Sequence, residues 1–392
     1  MRRPSYQLVC LAGVVIGSLS SFKALNFFQP ATPSVAVSDE SSDEHAAQVV
    51  DEKPHMRPPI GVSLTIDEGS WLRGPGEEWY ESQQDLQPGR FSHSDEAADG
   101  EGGWIDSQDY YRLRYDEEEE VWAYWHWVSP ERLTRGRQDF VQFCSSCHGL
   151  DGDGYGRSGQ WLRPSPRDFR QNNFKFTKVL QGLPTDEALL RLIKRGLDGT
   201  PMLPWDLQDE PLLDIIQYIK SLSPEGEGWR SPFAGIGGVV ESGDDPWIGR
   251  EDEAITKGEV IYHGQAQCMT CHPGYVNPNA LPAMLGQPAG TSYREKLFLP
   301  VLKESEYAVQ GNKVKIIPPD FTFHTVRSGT TTQDLFETIA SGIKGTAMPQ
   351  WKGSLPDEDL WALAHYVQSM IHGYKDKPAE RTQLMTRLRE GL

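Results

Sequence analysis

Basic charge is scarce in this sequence. Against 56 Asp and Glu stand 38 Lys and Arg, a net of −18 over 392 residues. A phosphate backbone recruits the opposite sign, so nucleic acid is excluded as a partner. Cysteine is scarcer still: there are five, and four of them fall in two short clusters. Loop-forming residues are plentiful, and 38 glycines and 28 prolines exclude a helical bundle with only short connections. The length suggests two or three domains.

The acidity is local. Residues 31–135 hold 24 Asp and Glu against 8 Lys and Arg, whereas 136–392 nearly balance. At the start, Arg2 and Arg3 precede an uncharged run from Pro4 to Phe22, so residues 1–30 predict an export signal or a membrane anchor. The small-residue cleavage point Ser34-Val35-Ala36 lies well beyond that run, which favours retention. Residues 4–22 would then anchor the chain in the cytoplasmic membrane, with everything after them extracytoplasmic, on the periplasmic side. Cys10 reads as an apolar filler of that helix. Residues 31–58 mix Ala, Pro, Ser and acids and read as a flexible acidic tether. Residues 59–130 carry six of the twelve tryptophans (Trp71, Trp79, Trp104, Trp122, Trp125, Trp127) beside Asp116 to Glu120. So many indoles require packing, which predicts an ordered acidic, Trp-rich extension lying on the next domain or on a partner. His126 reads as structural, and the charge run as a solvated face or a lure for a basic redox partner.

The four clustered cysteines form Cys144-Ser-Ser-Cys147-His148 and Cys268-Met-Thr-Cys271-His272. Two thiols at this spacing can each add to one vinyl group of haem, and the adjoining imidazole then lies under the iron. A zinc ribbon needs a second pair roughly 15–20 residues on, whereas Cys147 and Cys268 are far apart. A thioredoxin-like pair follows a strand, but helix-like runs precede both clusters. A disulfide gives the paired histidines no role.

An internal repeat supplies a candidate sixth ligand. Gly199-Thr200-Pro201-Met202-Leu203-Pro204-Trp205 and Gly345-Thr346-Ala347-Met348-Pro349-Gln350-Trp351 both read Gly-Thr-x-Met-x-x-Trp. Each follows an amphipathic segment, with Leu189, Ile193 and Gly196 matching Leu335, Ile339 and Gly342. Pro166-Arg167-Asp168-Phe169 and Pro318-Pro319-Asp320-Phe321 match as well, so the halves are duplicates. A lone methionine is ordinarily core filler, but the duplicated loop selects Met202 and Met348, the latter over Met269, Met284 and Met370. Each copy closes with a helix, Leu212 to Leu222 and Leu360 to Ile371, with Pro211 and Pro356 suited to first helical positions. Gly136 and Phe140, like Gly258 and Tyr262, put a small residue four before an aromatic. This predicts that the first helix crosses the last closely, against Tyr218 and Tyr366.

These residues resemble class I c-type cytochromes, present twice, over about half the chain. The resemblance implies an all-α, loop-rich dihaem protein with two tandem domains, 131–223 and 253–373, joined by a Gly/Pro-rich linker 224–252 and followed by a tail 374–392. It implies two covalently bound haem c groups, attached at Cys144 and Cys147 and at Cys268 and Cys271, with iron ligated by His148 and Met202 and by His272 and Met348. The second copy departs from the first: 76 positions separate His272 from Met348, against 54 from His148 to Met202. The excess includes Glu306 to Ile317, which reads as a hairpin turning at Gly311-Asn312. The linker reads either as a simple join or as a strap draped over a domain. The expected role is a single-electron relay between donor and acceptor redox proteins of a respiratory chain, without catalytic residues, free or as a subunit of a membrane complex. The alternative is a dihaem enzyme, a peroxidase or sulfur-compound dehydrogenase, with one iron opening to substrate.

Overall fold

The computed structural model describes residues 63–73, 79–80, 104–105, 109–116, 121–309 and 311–390, with only the backbone at 79–80, 104–105, 109–116 and 121–122. The expected anchor and tether at 1–58 lie outside the described residues. Among the described residues no helix is long and apolar enough to cross a membrane.

The expectation of an all-α chain fails in the extension, which is a sheet. Strands β1 (Ser70–Arg73), β2 (Trp79–Tyr80), β3 (Trp104–Ile105), β4 (Asp109–Asp116) and β5 (Val121–Val128) pair antiparallel, with β5 central to β1, β2 and β4. Val, Tyr and Trp fit a pleated, half-buried surface better than a helix, which accounts for the strands. The sheet packs on the first helical segment. Leu72 and Val128 are fully buried in the same core as Leu133, Phe140 and Ile216. Buried Arg73 donates from Nε to the Pro232 carbonyl at 3.1 Å and from Nη1 to the Tyr124 carbonyl at 2.7 Å.

The first helical segment comprises α1 (Pro130–Phe143), α2 (Ser145–His148), a short β6 (Val179–Leu180), α3 (Asp186–Arg195) and α4 (Asp209–Ser221). Ser129 caps α1 by accepting from the Arg132 amide, with Pro130 at its first position, where no amide bond is lost. After β7 (Gly238–Val239) the second segment has α5 (Glu251–His263), α6 (Leu281–Met284), β8 (Lys303–Val309), β9 (Asn312–Ile316), α7 (Thr332–Ser341), α8 (Asp357–Tyr374) and α9 (Pro378–Arg389). Strands β8 and β9 are the expected hairpin. Two prolines sit slightly off expectation: Pro211 is third in α4, and Pro356 is the N-cap of α8. Neither position costs a helical hydrogen bond, because the first amides of a helix have no acceptor within it.

The close crossings are present in both segments. A Cβ on Gly136 would stand 2.1 Å from the Asp214 carbonyl oxygen, and one on Gly258 2.1 Å from that of Ala362. Phe140 and Tyr218 then meet at 5.2 Å between ring centroids, Tyr262 and Tyr366 at 5.3 Å. The linker is a strap. Its Trp229 is fully buried in the first core, its Gly238–Val239 pairs with Val179–Leu180, and its Trp247 enters the second core and donates from Nε1 to the Glu358 carbonyl at 3.0 Å.

Candidate functional site

The first cysteine cluster begins at the C-cap of α1, Cys144, whereas the second begins five residues past the end of α5, at Cys268. The His148 amide donates to the Cys144 carbonyl and the His272 amide to that of Cys268, both at 2.9 Å, so each histidine stands one helical turn past its first cysteine. None of the four cysteines is in a disulfide. Burial pushes the Cys144 and Cys268 thiols up to about 12. A nucleophilic redox pair has the opposite perturbation, a depressed thiol, so the environment argues against thioredoxin-like chemistry.

Both imidazoles are held from behind in the same way. His148 Nδ1 lies 3.1 Å from the Arg167 carbonyl and His272 Nδ1 3.0 Å from the Pro319 carbonyl. A carbonyl accepts only, so Nδ1 carries the proton and the Nε2 lone pair is left for a metal. Burial pulls His148 down to about 4 and lowers His272 as well, which keeps both rings neutral. Each ring stacks on the phenylalanine two residues beyond its acceptor, His148 on Phe169 at 4.5 Å and His272 on Phe321 at 4.9 Å. The repeated Pro-x-Asp-Phe of the sequence takes its role from this contact. The signal was its duplication, and its work is to aim the carbonyl of its second residue at the histidine.

The methionine turns are also duplicates. The Met202 and Met348 amides each donate to the hydroxyl oxygen of the threonine two residues earlier at 3.1 Å, and Thr200 and Thr346 donate onward to the Leu197 and Ile343 carbonyls. Return bonds run from the Leu197 amide to the Met202 carbonyl at 2.8 Å and from Ile343 to Met348 at 3.2 Å. Gly196 (φ +68°) and Gly342 (φ +69°) open these turns in the left-handed region, where a Cβ would also strike the returning backbone at 2.6 Å. The competing methionines are core: Met269 is buried, and Met284 and Met370 pack against the same cluster.

The donor set of two thiols and one neutral imidazole with a free Nε2, repeated, fits covalently attached haem, and no site for a bare metal competes, since the described residues contain no cluster of three or more His, Cys, Asp or Glu able to hold one. Residues 131–219 and 253–367, just over half the chain, match the family described as cytochrome C oxidase, cbb3-type, subunit III. The chain belongs to that family. It is a c-type cytochrome, and such cytochromes bind haem c covalently, transfer electrons and typically work outside the cytoplasm. No curated protein matches this cytochrome. Among solved structures it is similar to a chain of the Kuenenia stuttgartiensis reducing HAO-like protein complex, at 28% identity over 60% of this chain and 96% of that one, with a TM-score of 0.47.

Proposed function

We propose that this cytochrome is an extracytoplasmic dihaem electron carrier that passes single electrons between respiratory redox proteins, as a free relay or as a subunit of a membrane complex. One haem c is held in residues 131–223 by Cys144, Cys147, His148 and Met202, the other in 253–373 by Cys268, Cys271, His272 and Met348. Residues 4–22 tether it to the membrane. The observation that carries the reading is the duplication, bond for bond, of the histidine–carbonyl contact and the methionine turn.

Bound haem supplies a one-electron iron couple. The chain's own residues keep each imidazole neutral and oriented and present a thioether from a turn held by backbone and threonine bonds. A neutral sulfur ligand disfavours the more positive ferric state, so the potentials are expected to be high. The two methionine turns are built alike, which favours a carrier over an enzyme with one open iron.

A pyridine haemochrome assay is expected to count two haems per chain, and the reduced protein is expected to bind carbon monoxide at neither. Met202→His and Met348→His should each lower one potential and leave covalent attachment intact. A count below two, rapid carbon monoxide binding at one haem, or unchanged potentials in both variants would overturn the reading.

A further inference from the structure

The contact between the two helical segments is reciprocal. Gly199 of the first methionine turn lies against Thr325, where a Cβ would stand 3.0 Å from its Cγ2, and Gly345 of the second lies against Asn173, where a Cβ would stand 2.3 Å from its Nδ2. Asn173 and Thr325 are equivalent positions, each four residues past the phenylalanine of Pro-x-Asp-Phe. Residue i of one copy thus meets residue j of the other and the reverse, as in an isologous dimer, here within one chain.

The same rule brings like charges together. Lys175 and Arg327 are also equivalent, each six past that phenylalanine, and both act electrostatically at one place, joined by Arg167. The centre is Tyr307, carried there by the hairpin that only the second copy has. Lys175 Nζ donates to the Tyr307 hydroxyl at 2.8 Å, and the Arg167 guanidinium lies 3.8 Å from the ring centroid. Gln171 fixes the hairpin by two bonds to Ala308, 2.9 Å to its carbonyl and 3.0 Å from its amide.

Among the described residues no carboxylate lies within 4 Å of Arg167, Lys175 or Arg327. Asp168, next to Arg167 in sequence, spends its oxygens on Arg170 and Gln171. Burial first, and then the charges of Arg167 and Arg327, pull the Lys175 ammonium down to about 7. Three partly buried cations around one phenol are costly unless an anion joins them. Arg167 is also the residue whose carbonyl holds His148, so this charge lies beside the first porphyrin site.

We propose that Arg167, Lys175, Arg327 and Tyr307 form a carboxylate-binding site at the seam between the two segments, filled by propionate groups of the bound porphyrins. The inference rests on the dihaem reading. Cations from both copies hold porphyrin carboxylates, so each segment's charge acts on the other's haem and the seam couples the two electrostatically. The hairpin insertion is an internal clamp that completes this site.

The test uses the full-length holoprotein and the variants Lys175→Gln and Arg327→Gln, with Arg230→Gln, a cation already paired with Glu225, as a control. Redox titration in the visible is combined with resonance Raman of the propionate bending modes. Both seam variants should shift at least one haem's reduced-to-oxidised ratio several-fold toward oxidised at fixed potential, because a removed cation favours ferric iron, and should shift a propionate mode. The control should do neither. Unchanged potentials and modes in both seam variants would overturn the proposal. So would a wild-type potential that follows added phosphate at constant ionic strength, which would assign the site to a free anion. Haem content and the sulfur-ligation band in the same samples separate the cases: fewer than two haems sinks the dihaem reading, whereas two intact haems without a shift sinks only the carboxylate site.

Discussion

His263 shows what a single buried titratable group contributes away from the ligands. It is fully buried. Its Nδ1–H donates to the Glu259 carbonyl at 2.8 Å, and its Nε2 accepts the Tyr275 amide at 3.1 Å, so neither nitrogen can take a proton without losing a partner. Burial pulls its pKa down to about 4 from 6.5. The folded state therefore favours neutral histidine. Above pH 6.5 that stability is fully present; below it the unfolded chain binds a proton that the folded chain refuses, and stability is lost as pH falls toward 4. The loss amounts to about 3 kcal/mol at most, at 1.36 kcal/mol per pKa unit. Chemical denaturation at pH 7.5 and pH 4.5 should show that the difference shrinks in His263→Gln, and an equal difference in the variant would refute the assignment. Residues of this kind were invisible in the sequence, where one histidine in ten looks like another. The two histidines proposed as ligands were legible because the cysteines beside them state the chemistry.

At the scale of elements, the helix crossings were the most readable feature, because a glycine four before an aromatic encodes closeness locally. Their test is direct. Gly136→Ala and Gly258→Ala each drive a methyl to 2.1 Å from a backbone oxygen of the partner helix, and overpacking of this sort costs about 1–3 kcal/mol. Gly373→Ala, in α8 with nothing within 4 Å of the added Cβ, should be neutral or slightly stabilising. Thermal denaturation of the three holoproteins should separate the pair from the control. Other elements were not readable. Strand β5 buries Ala123, Trp125, His126 and Val128, so its burial does not alternate cleanly, and its period-2 signal is blurred where both faces carry aromatics. Its partner β1 lies some fifty residues away, beyond any local pattern. Helix α9 was read only as a tail, since Leu384, Met385 and Leu388 are its few buried side chains. Yet its Arg381 reaches Asp320 at 3.0 Å, bracing the loop that aims the Pro319 carbonyl at His272.

At the scale of the whole molecule, the sequence separates two copies and a linker, but it contains nothing that says how the copies meet. Beside the reciprocal contacts of equivalent residues, the interface uses singular residues absent from the repeat. Lys178 is the chief one. Buried, and in the left-handed region at φ +56°, it leaves the first segment to bond Asp334 at 2.7 Å and Glu337 at 2.8 Å on α7 of the second. Asp334 also faces Arg195 at 3.4 Å, so one side chain of the second segment gathers two cations of the first. Lys178→Met would keep the apolar stem and leave two carboxylates close together, one of them deeply buried, without their main counter-charge. Breaking a buried pair this way typically costs about 3–5 kcal/mol. That cost falls on the interface and not on either core, because Lys178 packs at the seam while both helix crossings stay intact. Calorimetry of the holoprotein is therefore expected to show one transition in the wild type and two in Lys178→Met, with the two haem spectra lost at different temperatures, and Lys178→Met combined with Asp334→Asn and Glu337→Gln should partly restore one transition. A Lys178→Met protein that still melts in one step at the wild-type temperature would mean that the strap from Trp229 to Trp247, rather than this ion cluster, couples the two segments.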